Sequence, residues 1–338
     1  MWLVACDSNF MYTIFHYPND TNAKNMTLRI IGGSSHTQFT HAVCKHLGIK
    51  ETPTTSKVFD NDNRFVTVED AVRGDDVYVI ATQSRPVDAH LMELFMFLRA
   101  VKVASAARVT AVLSYLPYSR SDKRDLPRVT VTARLIADLV ESAGANHILV
   151  ADLHAPQIQG FFSVPCDVLF AAPEIVAYLK KNWNLKEYVL VGGDAGAAKL
   201  LKLYADGLQL PVAIMDKRRE PNTGAVSVKG VIGDVRGKKA LIIDDETQTG
   251  STLIKDAEFL LKRGGAVSVD ACVIHPALGP SAAKNLNKSP IKRFITTDTI
   301  PTEGHNLRDH EIVSMTKKFA ECIRRMHENK SIKSLNEL

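Results

Sequence analysis

Residues 240–253 read ALIIDDETQTGSTL. An unbroken apolar run ends in two adjacent acids, Asp244 and Asp245, then crosses a short polar loop into a helical pattern starting near Leu253. A strand that is apolar throughout suits a parallel sheet buried on both faces. In such sheets, ligands bind beyond the carboxyl ends of the strands. The loop residues Gln248, Thr249, Gly250, Ser251 and Thr252 are small or polar. Backbone N–H groups there approach an anion closely, hydroxyls add donors, and the dipole of the following helix favours negative charge. An anion and two carboxylates do not share one point. Asp244 and Asp245 are therefore assigned to sugar hydroxyls or a hydrated Mg²⁺ beside the anion. A turn capped by threonine would account for either acid alone; the whole string favours an anion loop.

Outward from this segment, short β-branched runs alternate with amphipathic windows. Strands are expected at 28–31, 77–82, 108–115, 147–153, 188–192, 211–216, 239–245, 267–275 and 292–297. Helices are expected at 36–48, 90–104, 131–143, 174–182, 196–206, 252–263 and 313–327. The alternation argues for an α/β fold with mainly parallel sheets flanked by helices. The pattern runs twice. It divides the chain into an N-terminal extension (1–27), a first α/β unit (28–170) and a second (171–338) that carries the anion loop and a returning C-terminal helix.

The 338 residues are 45% hydrophobic and 23% charged, which excludes disordered and low-complexity classes. No apolar run reaches the roughly 20 residues of a membrane span, and MWLVAC at the start lacks the basic flank of a signal peptide. A soluble cytoplasmic protein without membrane partners is expected. The net charge of +5 is small for the length, and the basic residues sit beside acids, so nucleic acid is not an expected partner. The five cysteines are scattered with no CxxC pair, which favours buried thiols over disulfides or zinc.

Four other segments carry chemistry. PYSRSDKRDLPR (117–128) gathers Arg120, Lys123, Arg124 and Arg128 around Asp122 and Asp125. It reads as a solvated turn of internal ion pairs or as a clamp for a polyphosphate, in which arginine's planar fork matters. VADLHAPQIQGFF (150–162) sets Asp152 and His154 at a strand end, plausible as metal or phosphate contacts. GGDAGAAK (192–199) places Asp194 in a glycine-rich turn that fails the Walker A pattern. DKRREPNTG (216–224) puts Lys217, Arg218 and Arg219 on an expected mobile loop, either a solvated charge run or a cover for a transferring phosphate.

In this order the segments resemble those of the ribose-phosphate pyrophosphokinase (PRPP synthetase) family, from about Arg29 to Ile332. GGSSH (32–36), AVRGDDVYVI (71–80), LMEL (91–94), ASAARVTAVLSYLPYSR (104–120), DLHAPQIQGFF (152–162), DAG (194–196), DKRR (216–219) and TIP (299–301) carry the likeness. The resemblance implies two phosphoribosyltransferase-like domains and a homo-oligomer, dimer or hexamer. It also implies transfer of the β,γ-pyrophosphoryl group of Mg-ATP to the anomeric hydroxyl of ribose 5-phosphate, releasing AMP. It assigns ribose-phosphate binding to Asp244, Asp245 and Gln248–Thr252. ATP binding falls to Arg120, Ser121, Asp122, Lys123, Arg128 and His154, with Phe59, Asn61 and Asn63 at a neighbouring subunit's adenine pocket. Mg²⁺ falls to His154, Asp194 and Asp152, and transition-state stabilisation to Lys217 and Arg219. Lys217→Ala is expected to leave folding intact while nearly abolishing turnover.

Four positions depart from the family pattern. Gln248 stands where the loop's third acid is expected, Asn63 replaces a glutamate, Ser121 a glutamine and Ser163 an aspartate. Lost acids weaken metal binding or suit a more anionic or bulkier substrate. Two alternatives therefore stand beside the ordinary activity. One is a pyrophosphokinase using a larger 5-phosphoribosyl compound such as ADP-ribose. The other is a non-catalytic regulatory subunit, against which the retained Lys217, Arg219, His154 and Asp194 count.

Overall fold

The computed structural model describes residues 26–82, 84–219 and 226–338. The first half runs β1 (Leu28–Gly32), α1 (Thr37–Leu47), a hairpin of β2 (Thr54–Val58) and β3 (Arg64–Val68), then β4 (Asp76–Ala81) and α2 (Val87–Val103). It continues with β5 (Arg108–Leu113), α3 (Thr132–Ala143), β6 (His147–Ala151) and β7 (Cys166–Leu169). Strands β1, β4, β5, β6 and β7 pair in that order, all parallel.

The second half runs α4 (Ala172–Asn182), β8 (Tyr188–Gly192), α5 (Ala198–Leu208), β9 (Val212–Arg219), β10 (Val226–Ile232) and β11 (Lys239–Glu246). After these come α6 (Ser251–Phe259), β12 (Ser268–His275), α7 (Ala282–Asn287), β13 (Ile291–Thr297), β14 (His310–Val313) and α8 (Thr316–His327). Its sheet has the order β10-β9-β8-β11-β12-β13-β14, antiparallel at the β10–β9 edge and parallel elsewhere.

Alternating residues of each strand feed different cores. Val77, Val79, Ala111 and Val150 of the first sheet pack with α2 and α3. Their neighbours Tyr78, Ile80 and Leu149 share one core with Leu190, Leu241 and Ile295 of the second sheet and with residues of α1, α4, α5 and α8. The far face of the second sheet, including Val191, Ile242 and Val273, is covered by α6 and α7. Helices therefore cover both faces of both sheets. That is why β4, β8 and β12 are buried along their whole length and lack polar alternation.

The last helix returns as expected. Its Phe319 ring meets Phe39 of α1 edge-on at 5.3 Å. At its end, His327 Nδ1 lies 2.8 Å from Asp76, a fully buried acid at the start of β4 that also takes the Arg108 guanidinium.

All nine expected strands and all seven expected helices are present. Missing from the reading are β2, β3, β7, β10, β14 and α7. β7 and β14 have four residues each and α7 six, too short for a period to register. β2 carries only intermediate and exposed residues, so its hydrophobic signal is faint. One expectation is corrected: Lys217 and Arg218 belong to strand β9, not to a loop, because β10 pairs with that stretch and extends it. Residues 220–224 of the expected loop, and residues 1–25 of the expected extension, lie outside the described residues. Cys44, Cys166, Cys272 and Cys322 are free and buried; Cys6 lies outside the described residues. No helix among the described residues is long and apolar enough to cross a membrane.

Candidate active site

The carboxyl ends of the two sheets face each other across a polar seam. Beyond β5, the Ser114 hydroxyl donates to the carbonyl of Thr299 at 2.8 Å, and the Thr82 hydroxyl beyond β4 reaches the same oxygen at 3.3 Å. His275, the last residue of β12, is fully buried. Its Nε2 lies 2.9 Å from the carbonyl of Asp152, and its Nδ1 lies 2.9 Å from the Thr299 hydroxyl. A carbonyl only accepts, so Nε2 carries the proton and Nδ1 accepts from Thr299. Burial depresses the basicity of this imidazole, although the Asp152 carbonyl opposes the shift.

At the centre, β11 delivers Asp244, Asp245 and Glu246. Asp245 Oδ2 lies 2.5 Å from His154 Nδ1, which comes from the loop after β6. That hydrogen bond, backed by the charge of Asp245, raises His154 above the ordinary imidazole value against the pull of burial. Burial works to raise Asp245 too, but His154 outweighs it and the carboxyl is held below its usual range. Asp244 moves the opposite way: burial and the neighbouring Asp245 charge push it well up, with Lys217 opposing. The two acids thus divide into one ionised and one readily protonated carboxyl.

Lys217, on β9, donates to Asp256 Oδ2 of α6 at 2.7 Å. The lysine side chain is 12% exposed and the aspartate 1%. Burial pushes Asp256 up to about 6 despite that partner. A Cβ at Gly193 would stand 3.7 Å from both Lys217 Nζ and Asp256 Oδ2, so the pair sits under the glycine-rich turn. There Asp194 Oδ1 accepts from the backbone of Gly196 at 2.8 Å and Ala197 at 3.3 Å.

The expected anion loop leads into α6 through Gly250, whose φ of +74° is left-handed; a Cβ there would lie 2.8 Å from the Leu286 side chain. Only glycine meets both conditions without strain. The helix begins at Ser251 rather than near Leu253, and no side chain caps it. The Thr249 hydroxyl instead donates to Ser251 Oγ at 2.9 Å. Beside the loop opens a cleft of about 780 Å³, walled by Tyr115 and Arg120 from the first half and by Glu246, Gln248, Thr249 and Pro276 from the second.

The structure brings Asp244, Asp245, His154, Lys217 and Asp256 into one neighbourhood and puts Arg120, Ser121, Gln248 and Thr249 on the cleft. Other expected residues sit elsewhere. Asp122 accepts from the Gln157 amide at 2.8 Å, while Lys123 and Arg128 are exposed, and none of the three lines the cleft. Phe59, Asn61 and Asn63 form the turn of the β2–β3 hairpin, apart from the cleft, with Phe59 exposed. Exposed Ser163 bonds Glu141 through its backbone N–H at 2.6 Å, beside α3. Arg219 closes β9, and its side chain lies outside the described part.

The expected metal set of His154, Asp194 and Asp152 is not assembled. No group of three or more His, Cys, Asp or Glu among the described residues is placed to hold a metal ion. Asp152 is turned inward: Oδ2 accepts from the Ala171 N–H at 2.7 Å, and burial pushes the carboxyl up to about 7. A carboxyl turned inward onto a backbone N–H and held by burial toward its neutral form is a poor ligand for a hard cation. Exposed Asp194 and the ionised Asp245 are the oxygen donors suited to an ion that arrives with phosphates and keeps its waters.

Glu246, Tyr115, His275, Thr299 and Asp256 escaped the sequence reading. Glu246 prolongs the acidic run, and Asp256 is an acid on the buried side of α6. Both signals were present in the sequence, and Thr299 opens the TIP motif, whereas nothing local marks His275.

Residues 28–144 match the N-terminal domain of ribose phosphate pyrophosphokinase, and residues 225–336 match the phosphoribosyl synthetase-associated domain. The chain is 39% identical over 310 residues to the ribose-phosphate pyrophosphokinase of Caldanaerobacter subterraneus, covering 91% of this chain and 98% of that one. It is 38% identical over 308 residues to the enzyme of that name from Aquifex aeolicus, with the same two coverages. A solved phosphoribosylpyrophosphate synthetase from Mycobacterium smegmatis superposes with a TM-score of 0.84 at 33% identity, covering 90% of this chain and 99% of that one.

Proposed function

The chain belongs to the ribose-phosphate pyrophosphokinase family of transferases, and from that premise we propose that it transfers the β,γ-pyrophosphoryl group of Mg-ATP to ribose 5-phosphate. The anomeric oxygen bonds to the β-phosphorus, the bond from that phosphorus to the α–β bridging oxygen breaks, AMP leaves and the hydroxyl proton is released. One observation carries the reading: at the end of β11, a split pair of acids and the loop to Thr252 adjoin His154 and Lys217, basic side chains brought there by the other sheet and by β9.

In this reading, the N–H groups and hydroxyls of Thr249–Thr252 hold the 5-phosphate, and Asp244 and Asp245 orient the ribose. Arg120 and His154 bind the polyphosphate. Lys217, with Arg219, balances charge on the transferring phosphoryls. Alignment and charge neutralisation carry most of the catalysis in such transfers. Asp194 and Asp245 would hold a Mg²⁺ ion, which would supply charge neutralisation to the phosphates. The hairpin turn of Phe59, Asn61 and Asn63, which does not line its own cleft, serves the adenine of a neighbouring subunit in a homo-oligomer.

A second reading has specific support. The cleft of about 780 Å³ shares Gln248 and Thr249 with the anion loop, so a group attached to the 5-phosphate has room beyond it. A neutral Gln248 also repels an added diphosphate less than an acid would. ADP-ribose is such an acceptor. Purified protein is given Mg-ATP with ribose 5-phosphate or with ADP-ribose, and AMP is followed. AMP with the small sugar phosphate supports the first reading, and AMP only with ADP-ribose the second. No AMP with either rejects both.

A further inference from the structure

Glu246 occupies an unusual position. Its side chain is 2% exposed, yet it lines the cleft. Oε2 accepts from the Tyr115 hydroxyl at 3.0 Å, and the Tyr115 ring is braced against His275 at 5.1 Å between centroids. Among the described residues, Oε1 is buried without a hydrogen-bond partner. Arg120 Nε stands 3.4 Å from Oε1 on a side chain that is 57% exposed. That is an ion-pair contact without hydrogen-bond alignment. A buried carboxylate oxygen left unpaired is costly, and the cost is recovered when a donor arrives.

We propose that Glu246 is a specificity-determining residue whose Oε1 accepts a hydrogen bond from a sugar hydroxyl of the ligand in the cleft. One oxygen is fixed by a braced tyrosine, so the other is held in place rather than free to find solvent. Arg120, exposed and beside it, is the natural partner for a phosphate on the same ligand. A hydroxyl donor on Oε1 and a phosphate on the guanidinium together describe a phosphorylated ribose, belonging either to the acceptor or to the nucleotide. A pocket built to bond a hydroxyl discriminates strongly against an analogue that lacks it, because the buried acceptor is then left empty.

The inference rests on the pyrophosphokinase reading, but its test stands apart from it. Wild-type protein and Glu246→Gln are compared with two pairs of substrates: ribose 5-phosphate against 2-deoxyribose 5-phosphate, and ATP against 2′-deoxy-ATP. Within each pair, the ratio of kcat/KM comes from one preparation, so it does not depend on the folded fraction. The wild type should favour the hydroxylated member of one pair by tenfold or more, and Glu246→Gln should reduce that preference to within about threefold. The affected pair identifies whether the hydroxyl belongs to the acceptor or the nucleotide. If neither ratio changes, or if the wild type shows no preference in either pair, the assignment is overturned. Should turnover be absent, the same ratios are read from dissociation constants by calorimetry, with the same two outcomes. Loss of turnover alone bears on the pyrophosphokinase reading and leaves the calorimetric ratio to decide the role of Glu246.

Discussion

His154 and Asp245, 91 residues apart, meet at 2.5 Å between Nδ1 and Oδ2, joining the end of β6 to the end of β11. The contact raises the His154 pKa and lowers that of Asp245. It therefore stabilises the closed seam most where the imidazole is protonated. Its contribution is complete below the free imidazole value of about 6.5 and disappears as pH rises through the elevated native value. Asp245→Asn should lower the His154 titration midpoint in an NMR experiment. It should also cost more stability at about pH 5.5 than at about pH 9. An unmoved midpoint would mean that the two side chains do not meet in solution.

Lys217 and Asp256 form a buried pair, so the expectation that Lys217→Ala spares the fold is revised. Removing the cation leaves Asp256 buried beside one hydrogen bond fewer, at a cost of about 3 kcal/mol. Turnover should also fall by about 10²–10³. The double variant Lys217→Met/Asp256→Leu separates the two effects: denaturant melts should recover most of the stability while turnover stays low. Recovery of turnover along with stability would remove Lys217 from the chemistry.

Asp76, at the start of β4, is wholly buried and holds both Arg108 and His327. Burial works to raise its pKa, but the His327 and Arg108 bonds outweigh it and the carboxyl is depressed. The stabilisation is therefore present above the free value near pH 3.8 and lost as pH falls through the lower native value. Asp76→Asn should lose about 3 kcal/mol at neutral pH and show a shallower decline of stability in acid. Urea melts from neutral to strongly acidic pH check both. An acid dependence as steep as the wild type's would assign it to other groups.

Gly250→Ala meets two obstacles, a left-handed φ and contact with Leu286 at 2.8 Å. Together they should cost about 1–2 kcal/mol. Displacement of the anion loop should raise KM for ribose 5-phosphate by roughly tenfold or more. Adding Leu286→Ala relieves the clash but not the backbone strain, so KM should recover only in part. Full recovery would show that the left-handed turn matters little.

Legibility in the sequence followed the range of the forces involved. The strand 239–245, its acids and the loop to Thr252 were readable because burial on both faces demands an unbroken apolar run and a tight turn into a helix favours small polar residues. Both requirements act over adjacent positions. Gly250 was legible for the same reason. The hairpin, β7 and β14 were not, since a four- or five-residue strand with mixed burial has no distinct period.

Lys217 marks the boundary between the two kinds of information. Its identity suggested chemistry, but its strand conformation depends on pairing with β10, and its charge balance on Asp256, 39 residues away. Asp152 makes the same point in the negative: the motif promised a ligand, and the Ala171 N–H turned the carboxyl inward. The linear order of residues settled the α/β layering, the strand–loop–helix run from Lys239 into α6 and the family, because each is written in neighbouring positions. Which acids ionise, which faces the cleft and how His275 ties one sheet to the other were fixed by packing. Burial and distance between remote side chains set those energies, and neither exists until the two sheets meet.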